Sequence, residues 1–237
     1  MLKKLLRLNA DDLLLCGIVG GVFLVTHVIT FVALNVFGAD SSLLISGVLL
    51  PVVAGILILM CAVSHTAVTF VQAIQFGQTR KRALGLALGV IAVQSAVIMG
   101  LAALLAWLER LFAPSFWLWL SGANALAWGD GGRVLQDYSG PGWALFIEDF
   151  SIAWWGYPAI ALGAAAVGIL IAAFLLRFGR RGIWLLWGIW MAGLVGFQLL
   201  PWKTHTIVDW LMPMLGVSLL AGLVWSFWSL LRTTIKS

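Results

Sequence analysis

The residues able to do chemistry are sparse in this 237-residue chain. Thr26, His27 and Thr30 stand three and four positions apart, so on a helix they share a face. Gln94 and Ser95 sit together in a second apolar run, and Gln198 stands near the end of another. Polar groups inside a membrane are costly; they mark either interhelical hydrogen bonds or a substrate route. His27, His65 and His205 fall at different depths, which does not suit one shared metal. No G-x-x-x-x-G-K before Ser or Thr occurs, so ATP hydrolysis is not expected from this chain alone. H-E-x-x-H and G-x-S-x-G are also missing, and no apolar run holds a pair of carboxylates. An intramembrane enzyme therefore has no recognisable constellation, and no catalytic, metal or cofactor-binding residue is assigned.

The elements that must position these groups follow from composition. Hydrophobic residues make up 62% of the chain and charged ones 10%, against about 25% charged in an average soluble domain. The apolar residues come in long runs, and a run of about 20 is what a helix needs to cross the hydrocarbon layer. Only helices and closed barrels satisfy their backbone in lipid, and these runs lack the alternation of barrel strands. The expected fold is all-α: a polytopic integral membrane protein in the cell membrane, one transmembrane domain over residues 1–237. Six spans are expected, over about 13–35, 43–66, 83–107, 152–176, 183–200 and 210–231. The first is read as a retained span, because its apolar run is longer than that of a cleavable signal peptide.

Charge sets the orientation. With the N-terminus inside, the inner segments hold Lys3, Lys4, Arg7, Arg80, Lys81, Arg82, Arg177, Arg180, Arg181, Arg232 and Lys236. The outer ones hold only Arg110, Arg133 and Lys203, which puts both termini in the cytoplasm. This asymmetry accounts for the net charge of +5 without nucleic acid. Cys16 and Cys61 fall inside expected spans, as small packing residues rather than a disulfide. Gly17 with Gly21, and Gly85 with Gly89, form small-xxx-small pairs that allow close helix packing.

Fourteen tryptophans are unusually many. Trp107, Trp117, Trp119, Trp128, Trp143, Trp154, Trp155, Trp202 and Trp210 gather at the outer boundary, and Trp184, Trp225 and Trp228 near the inner one. Such belts anchor helices at headgroup level. The outer loop, 108–151, mixes aromatics with a few charges over Phe112–Leu120 and Trp143–Phe150. Short interfacial helices are expected there, separated by turn material at Gly129–Gly132 and Ser139–Gly142.

The most informative segment is 70–82, FVQAIQFGQTRKR, between spans two and three. It reads as a short helix on the cytoplasmic membrane surface, ended by Gly77, with Arg80, Lys81 and Arg82 at anionic headgroups. The segment resembles a pattern found in small bacterial ABC transporter permeases, F-x-x-A-x-x-F-G-x-T-R followed by a basic residue. Phe70, Ala73, Phe76, Gly77, Thr79, Arg80 and Lys81 carry it here. A basic R-x-G-x-x-G turn, with Arg177, Gly179 and Gly182, and Trp154 and Trp155 before span four, are also similar to that family. Ala83 stands where the family has a bulky residue.

The resemblance implies the membrane subunit of a six-span, ABC-2-type transporter. In that reading Phe70, Gln72, Ala73, Gln75, Phe76, Gly77, Gln78, Thr79, Arg80 and Lys81 couple to a separate ATPase, which holds the ATP and magnesium. The implied partners are that ATPase, a second copy or a related permease, and membrane lipid. The expected cargo is a peptide, antimicrobial or lipid-like compound moved outward. The alternative is a non-transport immunity or scaffold protein that binds a peptide or lipid through the Trp-rich outer loop.

Overall fold

The computed structural model describes residues 10–38, 41–130, 133–136, 142–199 and 205–232. It is mostly helical. In chain order the elements are α1 (Ala10–Asn35), β1 (Ser41–Leu44), α2 (Ser46–Ser64), a π-helical turn (His65–Thr69), α3 (Phe70–Gln75) and α4 (Arg80–Ser121). There follow β2 (Ala125–Asp130), β3 (Arg133–Gln136), β4 (Ala144–Asp149), α5 (Gly156–Phe178), α6 (Arg180–Leu199) and α7 (His205–Arg232). Four helices among the described residues are long and apolar enough to cross a membrane: Leu14–Asn35, Ser46–Gln75, Arg80–Ser121 and Gly156–Phe178. Helices α6 and α7 lie where the fifth and sixth spans are expected.

Two expectations change. The helix of span three does not end at Trp107: α4 runs 42 residues, about 63 Å at 1.5 Å per residue and twice the hydrocarbon thickness. Glu109 and Arg110 interrupt its apolar run but not its helix, and Pro114 is carried inside it. The 108–151 segment is not a set of short interfacial helices. After α4 it forms strands, and with β1 these make a four-stranded sheet in the order β1-β4-β2-β3. β4 pairs in parallel with both β1 and β2, while β2 and β3 are antiparallel and joined beyond the Asp130↔Arg133 pair. The fold thus carries a sheet beside its helices. The physical reason is alternation: Leu145 and Ile147 are fully buried while Ala144, Phe146 and Glu148 are not.

The chain divides into two compact units. The first, Met1–Leu57 with Gln94–Ala161, holds the sheet. Its core is Leu34 of α1, Leu44 of β1, Ala113 and Trp117 of α4, and Leu145 and Ile147 of β4. Ala113 and Trp117 follow Glu109 at four-residue steps, so one stripe of α4 faces the sheet. The second unit is Ile58–Val93 with Leu162–Ser237. Phe70, Ala73, Ala83, Leu84, Ala87, Ala173 and Leu230 form its main cluster, with Ala62, Ile91 and Ile169 in another. Helices α2 and α5 meet closely there, since a Cβ on Gly168 would lie 2.6 Å from the Ala62 Cβ. The pairs Gly17/Gly21 and Gly85/Gly89 meet nothing within 4 Å, so the close packing falls on other glycines.

Candidate functional site

The 70–82 segment keeps its helix but not its independence. Residues 70–75 continue from α2 through the π turn, where His65 Nδ1 lies 3.1 Å from Thr69 Oγ1. Phe70 and Ala73 face inward and are buried, so the pattern Phe-x-x-Ala builds core rather than an exposed surface. Gly77 ends the helix at φ +81°, in the left-handed region that favours glycine. The Gly77 N–H donates to the Ile74 carbonyl and the Gln78 N–H to the Ala73 carbonyl, closing the last turn. Chain reversal then lets Ala83 and Leu84 pack on Phe70.

What projects from this packed base is compact. Gln72, Gln75, Phe76, Gly77, Gln78, Thr79, Lys81 and Arg82 are exposed. Phe76 is 85% exposed, the largest value among the exposed large hydrophobics. Arg80 turns back and donates from Nη1 to the Leu231 carbonyl at 2.9 Å, fixing the turn to the last helix of the same unit.

A second constellation lies in the first unit. Glu109 is 5% exposed and is the one carboxylate in α4. Its Oε1 accepts from Ser46 Oγ at 2.8 Å and its Oε2 from the Ser46 N–H at 3.2 Å. Ser46 opens α2, whose first N–H groups have no partner within the helix, so Glu109 caps α2 from a neighbouring helix. His27 Nε2 lies 3.8 Å from Glu109 Oε1, and its ring stacks on Trp117 at 5.9 Å. Its Nδ1 lies 2.9 Å from the Phe23 carbonyl, which can only accept, so that nitrogen carries a hydrogen. Ser46 Oγ thus donates to a carboxylate and not to the imidazole, unlike a nucleophile beside its base. One residue on, Arg110 binds Asp149 through Nε and Nη2 and reaches Ser151 Oγ at 3.1 Å. The Tyr157 hydroxyl donates to the Gly47 carbonyl at 3.3 Å. These bonds tie α2, α4, β4 and α5 at one level of the unit.

Of the polar residues expected to line a route, the structure brings only His27 to this cluster. Thr26 Oγ1 donates to the Phe23 carbonyl at 2.7 Å and Thr30 Oγ1 to the Thr26 carbonyl at 3.1 Å. Both bond within their own helix rather than across helices. Gln94 and Ser95 are half-buried on α4, about 22 Å along its axis from Glu109. The Gln198 side chain lies outside the described residues. Sequence reasoning missed Glu109, Ser46 and the Arg110–Asp149 pair. The available signal was a lone carboxylate in an otherwise apolar helix, hidden by ending span three before it. Trp117 likewise is 2% exposed and belongs to the core rather than to a boundary belt. Among the described residues no group of three or more His, Cys, Asp or Glu side chains could hold a metal. No family model matches the chain, and no curated protein or solved structure matches it either.

Proposed function

We propose that this chain is the membrane subunit of an ATP-binding-cassette transporter, exporting a peptide, antimicrobial or lipid-like compound. The observation that carries the reading is the Phe76 turn. A large aromatic side chain stands exposed between polar residues, on a base fixed by Phe70, Ala73, Ala83 and Leu84 and by the Arg80–Leu231 bond. Rigid aromatic anchors of this kind dominate protein interfaces, and burying one is worth about 2–3 kcal/mol. The basic residues Lys81 and Arg82 follow it and suit an acidic groove on an ATPase. The π turn at His65–Thr69 supports the same reading, since single π turns inside α-helices are frequent at functional sites.

In this account all six long helices span the cell membrane, α6 and α7 included, with both termini and the Phe76 turn in the cytoplasm. ATP and magnesium bind the partner ATPase, and a second copy or a related permease completes the pore. A test is copurification from native membranes. Wild-type chain brings down an ATP-binding-cassette ATPase, and Phe76→Asp loses it while remaining membrane-inserted. Equal recovery of the ATPase by both would sink the reading. A second reading, an immunity or scaffold protein, is favoured by Trp143, Trp154 and Trp155, which stand exposed beside β4. It predicts that the Phe76 change leaves protection against a toxic peptide intact.

A further inference from the structure

Trp225, Trp228, Ser229 and Arg232 are spaced three, four and seven apart, so they share one face at the end of α7. Arg177, from the end of α5, joins that face. Its Cζ lies 5.2 Å from the Trp225 ring centre, and Nη1 lies 3.5 Å from Ser229 Oγ. Arg232 lies over Trp228 with its Cζ 4.3 Å from the ring centre. Arg80 caps the same turn through the Leu231 carbonyl. Three guanidinium groups from three helices thus converge on one turn.

Among the described residues no carboxylate pairs with them. The ion pair among the described residues is Arg110–Asp149, and the close contact His27–Glu109 joins a histidine to a carboxylate; both lie in the other unit. Over residues 58–93 and 162–237 the sequence carries nine Lys or Arg and one acid, Asp209. Each guanidinium has five N–H donors, and Arg177 gives one of them to Ser229. Cation–π contact holds the planes of Arg177 and Arg232 in place without using up those donors.

We propose that this turn binds the phosphate of an anionic phospholipid, held between Arg177 and Arg232 on the Trp225–Trp228 platform. The guanidinium fork matches phosphate oxygens in bidentate fashion. Trp228 is 47% exposed, and indole rings prefer the headgroup level, where such a phosphate lies. A guanidinium already occupies one face of each indole, and its positive charge repels the choline cation that the rings could otherwise hold. The site therefore selects an anionic headgroup over a zwitterionic one. This requires only that the chain sits in a bilayer and is independent of the transport reading.

The test follows thermal unfolding of the full chain in a non-ionic detergent as phosphatidylglycerol, phosphatidylcholine or inorganic phosphate is added. Phosphatidylglycerol should raise the midpoint by roughly 5–10 °C at ~100-fold excess over its dissociation constant. The other two additions should raise it by less than half as much. Arg177→Gln with Arg232→Gln should weaken phosphatidylglycerol by about tenfold or more, the scale of one lost charge-assisted hydrogen bond. Lys3→Gln with Lys4→Gln removes the same charge and should leave the affinity unchanged. Equal responses to the two lipids, a full response to phosphate alone, or equal losses in the two double variants would overturn the site. If the arginine variant does not fold, Trp228→Leu must weaken phosphatidylglycerol, and an unchanged affinity there refutes the platform.

Discussion

Replacing Glu109 by alanine removes both acceptors of Ser46 at the buried start of α2. Hydrogen bonds to a charged group contribute about 1.5–3 kcal/mol each, so the gross loss is roughly 3–6 kcal/mol. Two effects offset it. Removing a buried carboxylate recovers its desolvation cost, and the freed Ser46 hydroxyl can cap its own helix for about 1 kcal/mol. The net destabilisation is then about 2–4 kcal/mol, which for a chain of this size lowers the unfolding midpoint by roughly 5–15 °C. Ser46→Ala keeps the backbone bond and should cost about 1.5–3 kcal/mol, the value of the one bond it loses. The two changes share one interaction, so the double variant should be more stable than the sum of the single losses predicts, by at least ~1 kcal/mol. Thermal unfolding of the four proteins in one detergent measures this cycle. A midpoint for Glu109→Ala within 2 °C of wild type (about 1 kcal/mol or less), or strict additivity with Ser46→Ala, would refute the cap.

Other substitutions probe the rest of the frame. Gly168→Leu drives a side chain into Ala62 and the Leu59 carbonyl and should destabilise by about 1–3 kcal/mol; thermal unfolding reads it. Gly77→Val places a β-branched residue at φ +81°, costs about 1–2 kcal/mol, and should loosen the turn, seen as faster proteolysis there. Ile147→Ala, at a fully buried strand position, should cost about 2–5 kcal/mol, whereas Phe146→Ala on the opposite face of β4 should cost less. If the 108–151 segment were interfacial helix instead, that two-residue alternation would vanish.

The helices were legible because apolar run length is a strong signal, and each expected span overlaps a helix. Their ends were less so. Glu109, Arg110 and Pro114 interrupt the apolar run without stopping α4, because the helix continues where Ala113 and Trp117 find a sheet to pack on. The sheet was harder still, since β1 and β4 are far apart in sequence and pair through non-local hydrogen bonds. Of the turn expected at Gly129–Gly132, Gly129 and Asp130 belong to β2 and residues 131–132 lie outside the described residues; its neighbours read as aromatic interfacial helix until the in-out alternation of β4 is set against its partners. In the Phe70–Arg82 segment the helix and its glycine stop were readable. Which residues point outward was not, because Phe70 and Ala73 are claimed by Ala173 and Leu230, about a hundred residues or more away. The arginine and tryptophan cluster at the end of α7 depends on the same long-range packing.

The central claim is that the Phe76 turn docks on an ATPase, and crosslinking tests it most directly. A photoreactive amino acid placed at Phe76 and activated in native membranes should yield one dominant adduct whose partner is an ATP-binding-cassette ATPase. The same probe at Trp143 should not. An adduct at Phe76 consisting of lipid alone, with no ATPase peptide, would contradict the account.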